Sequence, residues 1–222
     1  MNRIQENVSI NQERGEFSKA ASEGTIQRVA DKLRERNMEV IVVDDGDAAR
    51  QLVLNRLSPD EEVHSGKSKT LEEAGILKAL QEPGRYTFLR DLYMKMDRKT
   101  QAREIRKLIA APDVMLGSVN ALTEDGILVD TSATGSQLGP YAAGSGKVIL
   151  VVGSQKIVPD LDMALKRIHE YVLVGRRAGT RTPGSGYHSR QDSNHRTGVD
   201  SPTDHDRVGT ATDRRLITAS GT

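Results

Sequence analysis

The chain of 222 residues contains no cysteine. This absence excludes disulfide bonds, cysteine catalysis and an iron–sulfur cluster held by this chain. Tryptophan is also absent, and the aromatic residues together make up only 3% of the sequence. So few aromatic side chains argue against a stacking platform for single-stranded nucleic acid.

An excess of one charge sign and long apolar runs are missing as well. The 32 Lys and Arg residues nearly balance the 31 Asp and Glu residues, so no net field favours nucleic acid or an anionic membrane as a partner. The longest aliphatic run, 148–152, is far shorter than the roughly 20 residues of a membrane-spanning helix. The N-terminal residues lack the apolar segment of a secretory signal. We therefore expect a soluble, cytoplasmic protein.

What the sequence does contain is an alternation of apolar runs and amphipathic segments. The apolar runs predict strands at 39–43, near 63, and at 86–89, 114–116, 126–129 and 148–152. Apolar residues at helical spacing predict helices at about 22–36 and 98–110, after Asp45, after Thr70 and after Pro159. This alternation is typical of an open α/β fold, with a mainly parallel sheet and helices on both faces. Such sheets bind their ligands at the carboxyl ends of the strands.

Two helices carry more detailed predictions. Thr70 precedes Glu73 by three residues, which is the spacing of a capping box, so Thr70 is the expected N-cap of its helix. In the last helix, the apolar residues at helical spacing are expected to face the core. They are Leu161, Leu165, Ile168 and Val172.

Composition divides the chain into three parts. Residues 1–17 are polar and are predicted to be flexible, and residues 18–174 are predicted to form one α/β domain. From 175 to 222 the sequence is polar and shows neither strand nor helix periodicity, which predicts a disordered tail. This tail holds His188, His195 and His205, and their spacing fits no metal site.

Glycine and hydroxyl residues cluster at the expected ends of strands, where backbone N–H groups can approach an anion. The segment 65–68 resembles the end of a phosphate-binding loop, but Glu61 stands where that motif requires a glycine. We predict that this segment and three further loops together form one anion-binding site. The alternative is that they are exposed turns with ordinary surface lysines. The residues of the predicted site are Ser65, Gly66, Lys67, Ser68, Thr70, Gly117, Ser118, Asn120, Thr134, Gly135, Ser136, Gln137, Gly153 and Lys156.

Candidates for catalysis are fewer. Glu124 and Asp125 precede Gly126 and are acid–base candidates, although the same residues are typical of a solvated hairpin turn. His64 and His169 are either acid–base groups or structural histidines. The spacing of residues predicts no metal site, no nucleophilic triad and no particular cofactor.

Four segments in order carry a resemblance to a known family. They are TLEEAGI from Thr70, GSVNALTEDGILVD from Gly117, TGSQLGPYAAG from Thr134 and KVILVVGSQKIVPDLDMALKRIHEY from Lys147. Over about 18–174 the chain resembles the LUD-domain family, named for lactate utilisation. The resemblance implies a fold like that of ribose-phosphate isomerases and coenzyme A transferases. It also implies a bacterial cytoplasmic role in growth on lactate, beside iron–sulfur oxidoreductase subunits.

The resemblance leaves three functions open. The first is an accessory protein that binds a small anionic metabolite or a phosphate-bearing cofactor. The second is an isomerase or coenzyme A-transferase-like enzyme that uses Glu124 or Asp125, because Asn120 stands where related isomerases carry an acidic residue. The third is a scaffold subunit for iron–sulfur oxidoreductase partners. The family branch without cysteines ends in an ordered apolar segment, and a polar tail in its place would leave one sheet edge exposed.

Overall fold

A computed structural model of the protein describes residues 15–82, 84–132, 134–173 and 216–221. The helices are α1 Glu23–Arg34, α2 Gly46–Leu54, α3 Lys69–Glu73, α4 Ile76–Leu80, α5 Leu89–Tyr93, α6 Ala102–Ala110 and α7 Leu161–Arg167. The strands are β1 Glu39–Val43, β2 Glu62–Ser65, β3 Thr87–Phe88, β4 Val114–Gly117, β5 Ala121–Thr123, β6 Leu128–Val129, β7 Lys147–Gly153, β8 Ile157–Val158 and β9 Leu216–Gly221. Within these ranges, none of the helices has the length and apolarity needed to span a bilayer.

The main sheet has six strands in the order β1-β9-β7-β4-β2-β3. The four strands β7, β4, β2 and β3 run parallel to one another, so the predicted mainly parallel sheet is confirmed. Strand β9 runs antiparallel to both β1 and β7. The carboxyl ends of β2, β4 and β7 therefore lie at the same edge of the sheet.

Helices cover both faces of this sheet, as the alternation predicts. Along β7, Ile149 and Val151 join an apolar cluster with α2, α3 and α4, whereas Leu150 and Val152 join one with α1. Because successive side chains of a strand point to opposite faces, a continuously apolar strand is buried on both sides. The residues 148–152 thus place β7 in the centre of the molecule.

A smaller sheet follows β4 and has the order β6-β5-β8. Strands β5 and β6 form an antiparallel hairpin whose turn places Gly126 at a φ of 85°, and β8 joins β5 in parallel. Strands β5 and β8 were not predicted, since runs of two or three residues carry little periodicity. The loop 118–120 is fixed at both ends, because it connects the two sheets.

The helix expected after Thr70 begins two residues earlier. Ser68 is the N-cap of α3 and its Oγ accepts a hydrogen bond from Leu71 N, whereas Thr70 is buried inside the helix. The prediction of Thr70 as the cap was therefore wrong. Gly75 then ends α3 with a φ of 70°, a left-handed conformation that glycine adopts without strain, and α4 begins after it.

The last helix also differs from its prediction. Leu161 and Leu165 are 45% and 46% exposed, whereas Ala164, Arg167 and Ile168 are buried. Asp160 caps α7 by accepting from Met163 N at 2.8 Å, and a π-helical turn follows at Ile168–Val172. The core-facing side is therefore rotated, because the helix packs a small residue and an arginine against β5 and the loop before it.

The described residues of the tail that was predicted to be disordered form a strand. Leu216–Gly221 pairs with β1 and β7, with Thr218 opposite both Ile41 and Val151. This segment therefore departs from the prediction for 175–222, and it joins β1 to the rest of the sheet. The short segment LITASG has enough β-branched and small residues for a strand, but its sequence has no clear alternation. Residues 174–215, with His188, His195 and His205, lie outside the described residues.

At the other end, Phe17 is buried and its ring lies 6.2 Å from that of Tyr171. The packed part of the chain thus includes the last residue of the segment 1–17 that was predicted to be flexible. Residues 1–14 lie outside the described residues.

Candidate functional site

Three neighbouring parallel strands end in small residues at one edge of the main sheet. Strand β2 ends at Ser65, β4 at Gly117 and β7 at Gly153. The pairing sets Ser65 level with Leu116, and Gly117 level with Leu150. Parallel sheets bind ligands at this edge, and it is where the sequence predicted the site.

The loop that follows β4 is held by three long side chains. Tyr141 Oη accepts from Ser118 N at 3.2 Å and lies 3.3 Å from Ser118 O, to which it donates. Lys156 Nζ donates to Ser118 Oγ at 2.8 Å and to Val119 O at 2.9 Å. Arg167 Nη1 donates to Asn120 O. Each residue of the loop is therefore hydrogen-bonded to at least one of these three side chains.

Asn120 serves the same loop through its own side chain. Its Oδ1 accepts from Thr131 N at 2.7 Å and from Thr131 Oγ1 at 2.8 Å. This joins the end of β4 to the segment that follows β6. The amide of Asn120 thus has a structural contact, whatever its role toward a ligand.

Gly117 is required by the close approach of Tyr141. A β-carbon at Gly117 would overlap the Tyr141 hydroxyl and ring. Burial raises the pKa of Tyr141 further above its usual value, and nearby Asp130 raises it too. Tyr141 is therefore a neutral hydrogen-bonding group at every physiological pH.

Lys156 and Arg167 bring two cationic side chains to this loop. Burial lowers the pKa of Lys156 to about 7; Arg167 lowers it as well, while Asp130 and Glu73 act in the opposite direction. Arg167 is only 3% exposed, and burial lowers its pKa to about 10, so it stays charged at neutral pH. Its guanidinium also lies 4.9 Å from the centre of the Tyr171 ring.

The loop after β2 and the loop before Pro140 meet at the edge of the sheet where β2 ends. A β-carbon at Gly66 would lie 2.7 Å from Gln137 Oε1, so these two residues are in close contact. Gln137 Nε2 donates to Asp130 Oδ2 at 2.6 Å. Asp130 in turn interacts electrostatically with Lys156 and Tyr141. A chain of contacts thus runs from the end of β2 to Lys156.

We call this set of residues the strand-end cluster. It comprises Ser65, Gly66, Gly117, Ser118, Val119, Asn120, Asp130, Gln137, Tyr141, Lys156 and Arg167.

Several buried polar atoms near the cluster make no hydrogen bond within the described residues. At the end of β2 they are His64 Nδ1 and Ser65 Oγ, and beyond β7 they are Ser154 Oγ and Gln155 Oε1. Buried polar groups are normally paired, so such groups are typical of functional sites. Burial lowers the pKa of His64 to about 4, with a smaller effect from Arg90, so His64 is neutral at pH 7.

Within the described residues, the contacts that define the cluster do not involve the remaining predicted residues. Lys67, Thr134 and Gly135 are exposed, and Ser136 is half-buried. Thr134 Oγ1 and Ser136 Oγ lie 2.9 Å apart, in a turn beside Gln137. Ser68 is the N-cap of α3 and Thr70 lies within that helix. Gly153 is buried at the end of β7, and His169 is exposed in the turn after α7.

Glu124 and Asp125 lie in the β5–β6 turn. Glu124 forms a salt bridge with Arg28 of α1 at 3.2 Å, and Asp125 accepts from Thr123 Oγ1. Glu124 lies four positions after Asn120, which is about 13 Å along an extended strand. Their catalytic role stays a prediction, and the carboxylate that lies within the cluster is Asp130 instead.

Asp130, Tyr141 and Arg167 were not among the predicted site residues. Asp130 directly follows the apolar pair of β6, so the rule that polar residues at strand ends form sites could have identified it. Arg167 had no such signal, because it lies on a helix and its surroundings depend on packing against a distant loop.

Comparison with known proteins gives one match. The family model described as LUD domain matches residues 26–204 of the chain. No curated protein and no solved structure matches it.

Proposed function

The chain belongs to the LUD-domain family, which is associated with lactate utilisation, and on this premise we propose that it is an accessory protein that binds a small anionic metabolite or a phosphate-bearing cofactor. The strand-end cluster is the proposed binding site. The proposal includes a cytoplasmic location and iron–sulfur oxidoreductase subunits of lactate oxidation as partners.

The observation that supports anion binding best is that two cationic side chains, Lys156 and Arg167, both bind the loop 118–120. Their hydrogen bonds are accepted by a hydroxyl and by backbone carbonyls, and all of these acceptors are neutral. Burying a cation is costly unless a counter-charge lies close by. Asp130 supplies part of that charge to Lys156, and an anionic ligand would supply more.

The sheet edge adds neutral donors to this charge. Ser65 Oγ and Ser154 Oγ are buried hydroxyls that make no hydrogen bond within the described residues. Hydroxyl groups donate readily to carboxylate and phosphate oxygens. They are the groups that would distinguish a ligand seated in the site from an ion attracted only by charge.

The enzyme alternative now has a different candidate base. An isomerase or transferase that uses Glu124 or Asp125 would need the β5–β6 turn to move, because Glu124 pairs with Arg28 of α1 and Asp125 accepts from Thr123 within the turn. Asp130 lies within the cluster and can accept a proton without such movement.

Ligand-dependent melting tests the proposal. A panel of lactate, pyruvate, an acyl-coenzyme A and a sugar phosphate should include at least one compound that raises the melting temperature. Lys156→Ala should weaken binding of that compound about tenfold or more, since a charged hydrogen bond contributes about 1.5–3 kcal/mol.

Lys69→Ala is the matched control, because the Lys69 side chain is 86% exposed and its loss should leave affinity unchanged. Equal affinity of the Lys156→Ala variant and the unaltered protein would contradict the proposal. No shift with any compound, together with copurification of oxidoreductase subunits, would support a scaffold instead.

A further inference from the structure

We propose that Lys156 forms an imine with the carbonyl carbon of a small 2-oxo acid whose carboxylate is bound by Arg167. The inference rests on the proposed function, because it assigns a chemical class to the anion held by the strand-end cluster.

The hydrogen bonds of Lys156 match those of a neutral amine. An ammonium group has three N–H donors, whereas an amine has two and keeps a lone pair. Within the described residues, Lys156 Nζ has two acceptors, Ser118 Oγ at 2.8 Å and Val119 O at 2.9 Å. Two donated bonds fix the nitrogen and leave its lone pair for an electrophile.

Burial disfavours the charged form of Lys156 and is the largest cause of its lowered pKa, in agreement with this geometry. The neighbouring guanidinium of Arg167 disfavours a second positive charge, whereas Asp130 and Glu73 favour it. Together these effects lower the pKa of Lys156 to about 7, so Lys156 is neutral in about half of the molecules at pH 7. An ordinary lysine is neutral in roughly one molecule in three thousand at that pH. A desolvated lysine beside another cation is the usual form of an imine-forming amine.

Arg167 has the properties of a carboxylate receptor. It is 97% buried, one of its nitrogens donates to Asn120 O, and its Nε is buried without a hydrogen-bond partner in the described residues. A guanidinium binds a carboxylate through two parallel N–H groups. Lys156 is bonded to residues 118 and 119 and Arg167 to residue 120, so consecutive residues hold the two groups. The carboxylate and carbonyl of a 2-oxo acid are likewise adjacent.

The proposed step balances without a further reactant. The Lys156 nitrogen adds to the carbonyl carbon, and the carbonyl electron pair moves to oxygen, which takes a proton from the nitrogen. The hydroxyl of the resulting carbinolamine then takes the second proton of the nitrogen and leaves as water, while an electron pair of the nitrogen forms the C=N bond. The net change is amine plus ketone to imine plus water.

Borohydride reduction of the full-length chain with pyruvate tests the inference. Reduction converts an imine into a stable secondary amine, which peptide mass spectrometry locates. At pH 7 we expect Lys156 to be labelled at least about tenfold more than the exposed Lys69, because the lowered pKa of Lys156 and the carboxylate bound by Arg167 both favour attack there. Mapping the unaltered protein avoids dependence on a variant that fails to fold.

Two further measurements make the result decisive. Lys156→Arg keeps the positive charge but cannot form an imine, so it should lose the label. An excess of lactate, which carries a hydroxyl in place of the keto group, should compete with pyruvate and reduce labelling. Labelling spread evenly over exposed lysines, or no labelling at all, would overturn the inference.

The failure of the inference and of the proposed function are distinguishable. If pyruvate or lactate raises the melting temperature while no label appears on Lys156, the site binds anions and the imine is refuted. If no compound of the panel, including the acyl-coenzyme A and the sugar phosphate, raises the melting temperature and no label appears, both fail.

Discussion

At the residue scale, His64 illustrates how burial changes the chemistry of a side chain. It precedes Ser65 in β2, it is buried, and its ring packs edge-on against Tyr93 with centroids 5.7 Å apart. Its sequence neighbours suggested either an acid–base group or a structural histidine. The low pKa that burial and Arg90 impose makes it a poor base at neutral pH.

The low pKa of His64 predicts a pH dependence of stability. An unfolded histidine has a pKa of 6.5 and His64 has a folded pKa of about 4, so the unfolded chain binds more protons between these values. His64 should therefore remove about 3 kcal/mol of unfolding free energy as the pH falls from about 6.5 to 4. Urea unfolding at a series of pH values measures this loss.

His64→Gln should flatten that pH profile by the same amount, even if the variant is less stable at pH 7. His169→Gln removes an exposed histidine and should leave the profile as it is. Identical profiles for His64→Gln and the unaltered chain would mean that His64 is protonated as easily in the fold as outside it.

At the element scale, α7 shows that helical periodicity in a sequence predicts the presence of a helix more reliably than it predicts which side of the helix is buried. The sequence predicts one stripe of apolar residues, but Leu161 and Leu165 point outward and Ile168 inward. The reason lies in its neighbours, since Ala164 packs with Ala121 and Val158, and Arg167 reaches Asn120. Two residues outside the apolar pattern therefore set the rotation of the helix.

The rotation of α7 predicts unequal costs for two similar truncations. Ile168→Ala should cost about 3 kcal/mol, as is usual for a buried aliphatic side chain, whereas Leu165→Ala should cost less than about 1 kcal/mol. Urea unfolding of both variants under identical conditions measures the difference. A larger cost at Leu165 would show that this face is covered.

At the scale of the whole molecule, β9 is the segment that completes the sheet. Strand β1 lies at the edge of the sheet, and its neighbour in the strand order is β9, which in turn pairs with β7. The exposed edge that a polar tail would leave is thus occupied by residues of that tail. Long-range pairing of this kind is decided by the unfilled hydrogen bonds of β1 and β7.

Proline at the centre of β9 should break this connection. Thr218→Pro removes a backbone donor from a strand that pairs on both sides, so we expect a loss of at least about 2 kcal/mol. Amide hydrogen exchange should show loss of protection in β1 and along β7. Thr218→Val keeps the donor and is the control, and equal protection in the two variants would contradict the pairing.

The sequence by itself determined the longer elements of the α/β fold and the family. The apolar runs located β1, β4 and β7, and Asp45 and Asp160 are N-caps at the starts of two helices. These features depend on neighbours within a few residues, because periodicity and capping are local properties of the chain. The strand-end loops and the resemblance to the LUD domain follow from the same local segments.

Only the tertiary structure decided which of those loops meet. It brings Gly66 to Gln137, Lys156 to Ser118 and Arg167 to Asn120, and it separates Glu124 from the cluster. These contacts join residues 38 to 71 positions apart, and no periodic pattern encodes such pairs. The charge state of Lys156 also depends on them, because burial and the nearest charges are consequences of packing.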